Sequence, residues 1–323
     1  MEYFESHAHY DDEKFDNDRE KIIEQMYKEN VTKIISAGYS LEGSKRGIEL
    51  SKKYEFIYTT VGISPNDLNN NYRNEIKEID NILEKYFLDN KLYNVNDMNH
   101  KNDENDIEKS DKNYKIEDSD ENNKIKEIEK NDENNEIEDR DKKDKIEDKS
   151  VERLPKIVAV GEIGLDYHYD TDRDIQKDAF RLQINLANKY NLPIVIHTRE
   201  AVMDTLEILK NNNVKNVGTF HCCPFNRELV KEALKLGFYI SFGGTCTFKN
   251  AKNAEEIVKM VPDDRFLIET DSPYLAPEPV RGTRNDSRNL KYIVKKIAEF
   301  KQESEEIIAK KSYENATRLF LRN

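Results

Sequence analysis

The chain has 323 residues, with 52 Lys and Arg against 65 Asp and Glu, a net charge of −13 and a hydrophobic fraction of 36%. That length suits one barrel of about 250 residues carrying an insertion, and no Lys/Arg-rich cluster with interleaved aromatics appears in the sequence, so ordinary electrostatic binding of nucleic acid finds no support. No run approaches the roughly 18 consecutive apolar residues of a membrane span, and three cysteines without a Cys-x-x-Cys pair exclude a disulfide scaffold.

The first predicted element is a strand at about 2–6. Neither a basic segment nor an apolar signal region precedes it, so a cytoplasmic protein is expected. A helix over 16–30, a strand over 33–37, a helix over 41–54, a strand over 57–61 and a helix over 75–87 follow. Composition then changes. From Asp97 to Ser150 the chain is nearly all Asp, Glu, Lys and Asn with isolated Ile, and its 21 acidic and 12 basic side chains supply 9 of the 13 net negative charges. Such a segment buries too little apolar surface to offset its ordering entropy, so an insertion over about 91–154 is expected to be disordered. Strands over 157–162, 193–197, 217–221, 237–243 and 266–271 then alternate with helices over 174–191, 200–211, 226–236 and 253–261. Eight largely apolar strands separated by amphipathic helices indicate parallel strands covered on both faces, and the expectation is a single (β/α)8 TIM-barrel domain over 1–323, interrupted by the insertion.

Six groups stand at the ends of these apolar runs. His7 and His9 follow the first; Glu162 ends Ile157-Val158-Ala159-Val160-Gly161; His197 ends Ile194-Val195-Ile196; His221 ends Val217-Gly218-Thr219-Phe220; Asp271 follows Phe266-Leu267-Ile268-Glu269-Thr270. A lone histidine there is ordinarily a strand-end residue, and a lone carboxylate a helix cap or ion-pair partner. What points to a metal is the order of strand, ligand and helix, repeated along the chain with every group at the same end of its strand. Side chains on a strand repeat every two residues, so His7 and His9 share a face and can ligate one ion. Groups on strands one, four, five, six and eight converge only when the sheet closes, which favours a barrel over an open doubly wound sheet. No Gly-x-Gly-x-x-Gly follows the first strand, so the dinucleotide fingerprint is absent. Cys222 lacks a partner set for nucleophilic catalysis.

Seven motifs carry a resemblance. They are Ser6-His7-Ala8-His9-Tyr10-Asp11-Asp12, Val61-Gly62-Ile63-Ser64-Pro65, Gly161-Glu162-Ile163-Gly164-Leu165-Asp166-Tyr167, Pro193-Ile194-Val195-Ile196-His197-Thr198-Arg199-Glu200-Ala201, Phe220-His221-Cys222, Ile268-Glu269-Thr270-Asp271-Ser272-Pro273-Tyr274-Leu275-Ala276-Pro277 and Asn315-Ala316-Thr317-Arg318-Leu319-Phe320. The chain resembles the TatD family of metal-dependent deoxyribonucleases, within the amidohydrolase-type barrels, over all but about 90–154. The resemblance implies that His7, His9, Glu162 and Asp271 hold one metal and that Glu162, His197 and His221 hold a second, with Glu162 bridging. It also implies a 3′-to-5′ exonuclease on single-stranded DNA supported by magnesium or manganese. Two departures stand out. The family's third-strand motif usually reads Val-Gly-x-His-Pro-His, where this chain has Ser64-Pro65-Asn66, and its usual Cys-Phe-Ser-Gly after the sixth-strand histidine is here Cys222-Cys223-Pro224-Phe225.

The expected chemistry is phosphodiester hydrolysis with two divalent ions (Mg, Mn or Zn), the four imidazoles favouring zinc, manganese or iron while the carboxylates tolerate magnesium. Asp271 and Glu162 are the expected catalytic groups. Arg199, Arg281 and Arg284 follow the ends of strands five and eight, where guanidinium forks can hold phosphate oxygens, and Tyr274 can pack beneath a base. The expected partner is DNA as substrate, with no membrane and no stable protein partner. Two rival readings are an amide or ester hydrolase, such as an aminoacyl-tRNA deacylase, and a non-catalytic metal-binding protein.

The insertion joins a helix to the following strand, a connection that leaves a barrel at the face opposite its catalytic loops. Replacing 95–150 with a short Gly/Ser linker is therefore expected to leave hydrolytic rate and metal content nearly unchanged, because closure entropy grows slowly with loop length. Lost activity in a deletion variant that still unfolds cooperatively and still binds metal would show instead that the segment reaches the substrate or another subunit.

Overall fold

The computed structural model describes residues 1–110 and 153–321, the side chains of 92–110 excepted. The chain divides into two units, one of Met1–Leu88 with Arg153–Asn323 and one of Asp89–Glu152. In the first, eight strands form one sheet in sequence order: β1 (Tyr3–Ala8), β2 (Val31–Ser36), β3 (Ile57–Val61), β4 (Ile157–Asp166), β5 (Ile194–Arg199), β6 (Thr219–Phe220), β7 (Tyr239–Phe242) and β8 (Phe266–Ile268). Each pairs in parallel with the next. Helices α1 (Arg19–Lys28), α2 (Leu41–Lys53), α3 (Tyr72–Ser110), α4 (Arg173–Tyr190), α5 (Val202–Asn211), α6 (Arg227–Lys235) and α7 (Ala254–Met260) connect them. The architecture is a (β/α)8 TIM barrel.

The seam between the last strand and the first is closed just beyond β8. The Asp271 N–H donates to the His7 carbonyl (3.0 Å), and the His9 N–H donates to the Ser272 carbonyl (2.7 Å). Beneath them the buried Glu5 carboxylate accepts from the Thr270 N–H (2.9 Å), the Thr270 hydroxyl (2.7 Å) and the His7 N–H (3.1 Å). A side chain thus does the work of a ladder hydrogen bond. Burial pushes the Glu5 carboxyl up to about 8, against the lowering effect of those donors.

Close approach between neighbouring strands demands glycine at two positions. A Cβ on Gly164 (φ +143°) would lie 2.0 Å from the His197 carbonyl oxygen, and one on Gly218 would lie 1.6 Å from that of Ile194. The continuous burial of β4, all ten residues of which are buried, follows from helices outside and packed side chains inside.

The motif Asn315-Ala316-Thr317-Arg318-Leu319-Phe320 is explained by two helices that the strand-and-helix pattern did not reveal, α8 (Leu290–Lys301) and α9 (Glu305–Phe320). Ala316, Leu319 and Phe320 share a buried cluster with Phe4, Ile35, Val158, Val195 and Leu267, drawn from five different strands. Asn315 donates to the carbonyls of Asp263 and Phe266 (2.9 Å each), and the Ser312 hydroxyl accepts from the Ile268 N–H (2.9 Å), which ties α9 to β8. The third helix also differs from expectation. It continues past Phe87 to Ser110, with no proline or glycine to stop it. The rest of the charged segment, 111–152, lies outside the described residues, as does the disorder expected of it.

Leu319 is fully buried where α9 meets the strands. Leu319→Ala should lower the unfolding free energy of the metal-free protein by about 2–5 kcal/mol, the range for emptying a packed leucine site, as measured by urea denaturation. An effect below about 1 kcal/mol would show that α9 is not a structural part of the barrel.

Candidate metal centre

The six strand-end groups meet at the carboxyl ends of the strands. His7 lies within β1 and His197 within β5, whereas His9, His221 and Asp271 stand just beyond their strands, where the chain has begun to turn away. Asp271 takes φ +57° and is fixed there by its N–H bond to His7. Glu162 sits mid-way along β4, and its two oxygens face different partners. Oε2 lies 3.3 Å from His7 Nε2 and 3.6 Å from His9 Nε2. Oε1 lies 3.1 Å from His197 Nδ1 and 3.4 Å from His221 Nε2. Asp271 Oδ1 joins the first set, 3.6 Å from His7 Nε2 and 3.3 Å from His9 Nε2.

The donor chemistry fits a metal. His9 Nδ1–H donates to the Ala37 carbonyl (3.0 Å) and His197 Nε2–H to Asp166 Oδ2 (3.0 Å), which leaves the opposite nitrogen of each ring presenting a lone pair to the cluster. Those nitrogens face others at close range, 3.3 Å between His7 and His9 Nε2 and 3.0 Å between His197 Nδ1 and His221 Nε2. Paired lone pairs at such distances repel unless a proton or a cation lies among them. His7, His9 and Glu162 can hold a metal ion, as can His7, His221 and Asp271, or Glu162, His197 and His221, the ligand atoms of each group lying within 4.8 Å of one another.

Electrostatics agree. Burial works to raise the Glu162 carboxyl, but the charge of His221 and hydrogen bonds from His197, His221 and His7 outweigh it and hold the group well below the usual carboxylate range. Asp271 is lowered in the same way, its burial outweighed by His9. Without a metal the compensating charge must come from protons. His9 rises to about 9, burial being overcome by Asp271, and His221 rises well above its ordinary value through Glu162. His7 is the exception, lowered chiefly by burial and then by His221, whose ring stacks on it at 3.9 Å. A site that keeps two carboxylates ionised in a buried place is a site for cations.

A cavity of about 970 Å³ opens over the cluster, with Arg199 and Tyr274 among its lining residues. Arg281 and Arg284 are not part of that lining. The Arg281 guanidinium lies 4.0 Å over the Phe248 ring, and Arg284 forms a bidentate pair with Asp18 (2.9 and 2.6 Å). Tyr274 donates its hydroxyl to Asp12 (2.7 Å), with the Lys14 ammonium 3.9 Å above its ring.

Two carboxylates escaped the sequence reading although both stood inside quoted motifs. Asp166 backs His197 as described, and Glu269, fully buried, accepts from the Cys222 N–H (2.5 Å) and lies 3.6 Å from His221 Nδ1. Period two was the available signal, because Asp166 lies four residues after Glu162 and Glu269 two before Asp271. The departure at Ser64-Pro65-Asn66 also acquires a role: Asn66 Nδ2 donates to Asp166 Oδ2 (3.2 Å), and the Ser64 hydroxyl donates to Asp67 (2.9 Å).

The sequence profile described as TatD related DNase matches residues 4–321. The chain belongs to the TatD family. An uncharacterized metal-dependent hydrolase of Bacillus subtilis (strain 168), YabD, is 36% identical over 319 residues, 98% of each chain. Another uncharacterized metal-dependent hydrolase, MJ1582 of Methanocaldococcus jannaschii, is 29% identical over 322 residues, covering 100% of this chain and 98% of its own. The crystal structure of YJJV, a TatD homologue from Escherichia coli K12, superimposes with a TM-score of 0.74 at 21% identity, covering 99% of this chain and 98% of that one, a likeness of fold. This TatD family member is a metal-dependent hydrolase. Among its described residues no helix is long and apolar enough to cross a membrane.

Carboxylates that orient metal-binding imidazoles typically matter 10- to 100-fold in metal affinity. Asp166→Asn is therefore expected to raise the dissociation constant for at least one metal ion by about that factor, measured by chelator competition. Unchanged affinity would show that the Asp166–His197 bond is incidental.

Proposed function

We propose that this chain is a two-metal deoxyribonuclease that removes nucleotides from the 3′ end of single-stranded DNA. The observation that carries this reading is Glu162, whose Oε1 and Oε2 address separate sets of imidazoles. One ion would be held by His7, His9, Glu162 Oε2 and Asp271, and the other by Glu162 Oε1, His197 and His221. Bound there, two divalent cations supply Lewis-acid polarisation of a phosphoryl oxygen and lower the pKa of water.

The protein's own groups do the rest. Asp271 lines the cavity and stays ionised, so it can orient the attacking water and take its proton. Arg199 is the one Lys or Arg among the lining residues, whereas Asp67, Glu162, Asp166, Glu200 and Asp271 are all acidic. Phosphate affinity then comes from the ions and one guanidinium fork, in keeping with a lining that carries no other Lys or Arg. His9, Glu162 and His221 line the cavity although each is buried, and His7 is buried behind that lining. Ligands this deeply buried call for a slender substrate end, and an unpaired strand is slimmer than a duplex, which favours a single-stranded substrate. Cleavage of DNA in a reducing cytoplasm suits a chain whose three cysteines are all free.

Glu162→Ala should abolish hydrolysis and lower bound metal toward one ion or none, read by elemental analysis together with turnover on labelled DNA. A variant with full metal content and a near-normal rate would remove the binuclear assignment. Purified protein that leaves DNA intact with magnesium, manganese and zinc each supplied, yet hydrolyses an amide or ester, would remove the nuclease assignment.

A further inference from the structure

Two tyrosines flank the centre on opposite sides, each more exposed than a packed ring requires. Tyr274, 42% exposed, has its ring 6.3 Å from that of His9, the β1 side. Tyr169, 54% exposed, follows β4 and lines the same cavity beside Asp166, His197 and Arg199. Its ring is not adrift. The Arg199 guanidinium lies 5.6 Å from its centroid, and the His168 ring meets it edge-on at 5.1 Å, His168 being held in turn by Glu200 through Nδ1 (3.0 Å). Neither the core nor the metal ligands account for an aromatic ring, an arginine and an anchored histidine at this place.

A phosphodiester carries a nucleoside on each side. If the phosphate sits over Glu162, between the His7/His9 set and the His197/His221 set, one nucleoside is directed toward Tyr274 and the other toward Tyr169. Aromatic rings hold unpaired bases by stacking, which every base can do, and an adjacent guanidinium adds attraction to the π-face and a donor for the neighbouring phosphate. We propose that Tyr169, supported by Arg199, is a stacking platform for the nucleobase on one side of the scissile phosphate. This assignment rests on the nuclease reading and goes beyond it by naming what holds the substrate on the β4–β5 side.

The test uses the full-length, metal-loaded protein and three oligodeoxynucleotides: one intact, and two with an abasic residue at the nucleoside on one or the other side of the terminal cleavable bond. In the wild type the intact strand should be preferred in kcat/KM over the strand lacking the platform's base by about 5- to 150-fold, the value of one stacked base. In Tyr169→Ala that preference should fall toward one at one flanking position while the preference at the other persists. Tyr169→Phe, which keeps the ring, should retain it. Binding of a phosphorothioate strand, followed by fluorescence anisotropy, should weaken in parallel. Base preferences at both positions unaltered by Tyr169→Ala would overturn the platform and leave the nuclease reading standing. A wild-type protein that cleaves none of the three strands would overturn both.

Discussion

Everything at the mouth of this barrel is arranged around one charge, the Glu162 carboxylate. A carboxylate taken out of water is costly unless it is compensated, and here compensation comes from four imidazoles, two for each oxygen. Strands β1, β5 and β6 must deliver those rings to β4 in register. Gly164 and Gly218 serve this directly, since any side chain there would push apart the β4–β5 and β5–β6 contacts that bring His197 and His221 within reach of Oε1.

The outer partners of the ligands differ. His197 hydrogen-bonds to the Asp166 carboxylate and His9 to a neutral carbonyl, whereas the buried Nδ1 atoms of His7 and His221 have no hydrogen-bond partner, that of His221 lying 3.6 Å from Glu269. A carboxylate behind an imidazole increases its basicity. His197 is thus the ligand whose basicity a carboxylate directly supports, and Asn66 extends that support by holding Asp166 from the β3 side.

Much of this was legible in the sequence because two periodicities reinforce each other. Apolar runs mark the strands, and a ligand at the end of a run marks which end carries the chemistry, so His7, His9, Glu162, His197, His221 and Asp271 stood out together. The supporting carboxylates did not, because Asp166 and Glu269 look like ordinary strand-end acids until their imidazole partners, 31 and 48 residues away in the chain, are seen in space. Helices α8 and α9 were missed for another reason. After β8 the alternation of strand and helix has no further strand to confirm it, and their apolar stripes complete the core instead of framing a ligand. Arg281 and Arg284 stood near the site in sequence, but local partners, Phe248 and Asp18, claim their guanidinium groups, and sequence distance carries no information about that competition.

The seam has a bearing on how the molecule comes into being. His7 and Asp271 are separated by more than two hundred residues of sequence, and the bond that joins them, together with that of Glu5 to Thr270, links distant parts of the chain. During synthesis the early strands can pair with one another, yet the ring stays open until β8 and the residues after it reach β1, a topology of high contact order. The ligand set that contains both His7 and Asp271 is consequently complete only when the seam is closed. An ion that requires both His7 and Asp271 has affinity only for the finished barrel, so cation binding would act as a check on completed folding, drawing the equilibrium toward closed molecules and away from those still lacking their final turn.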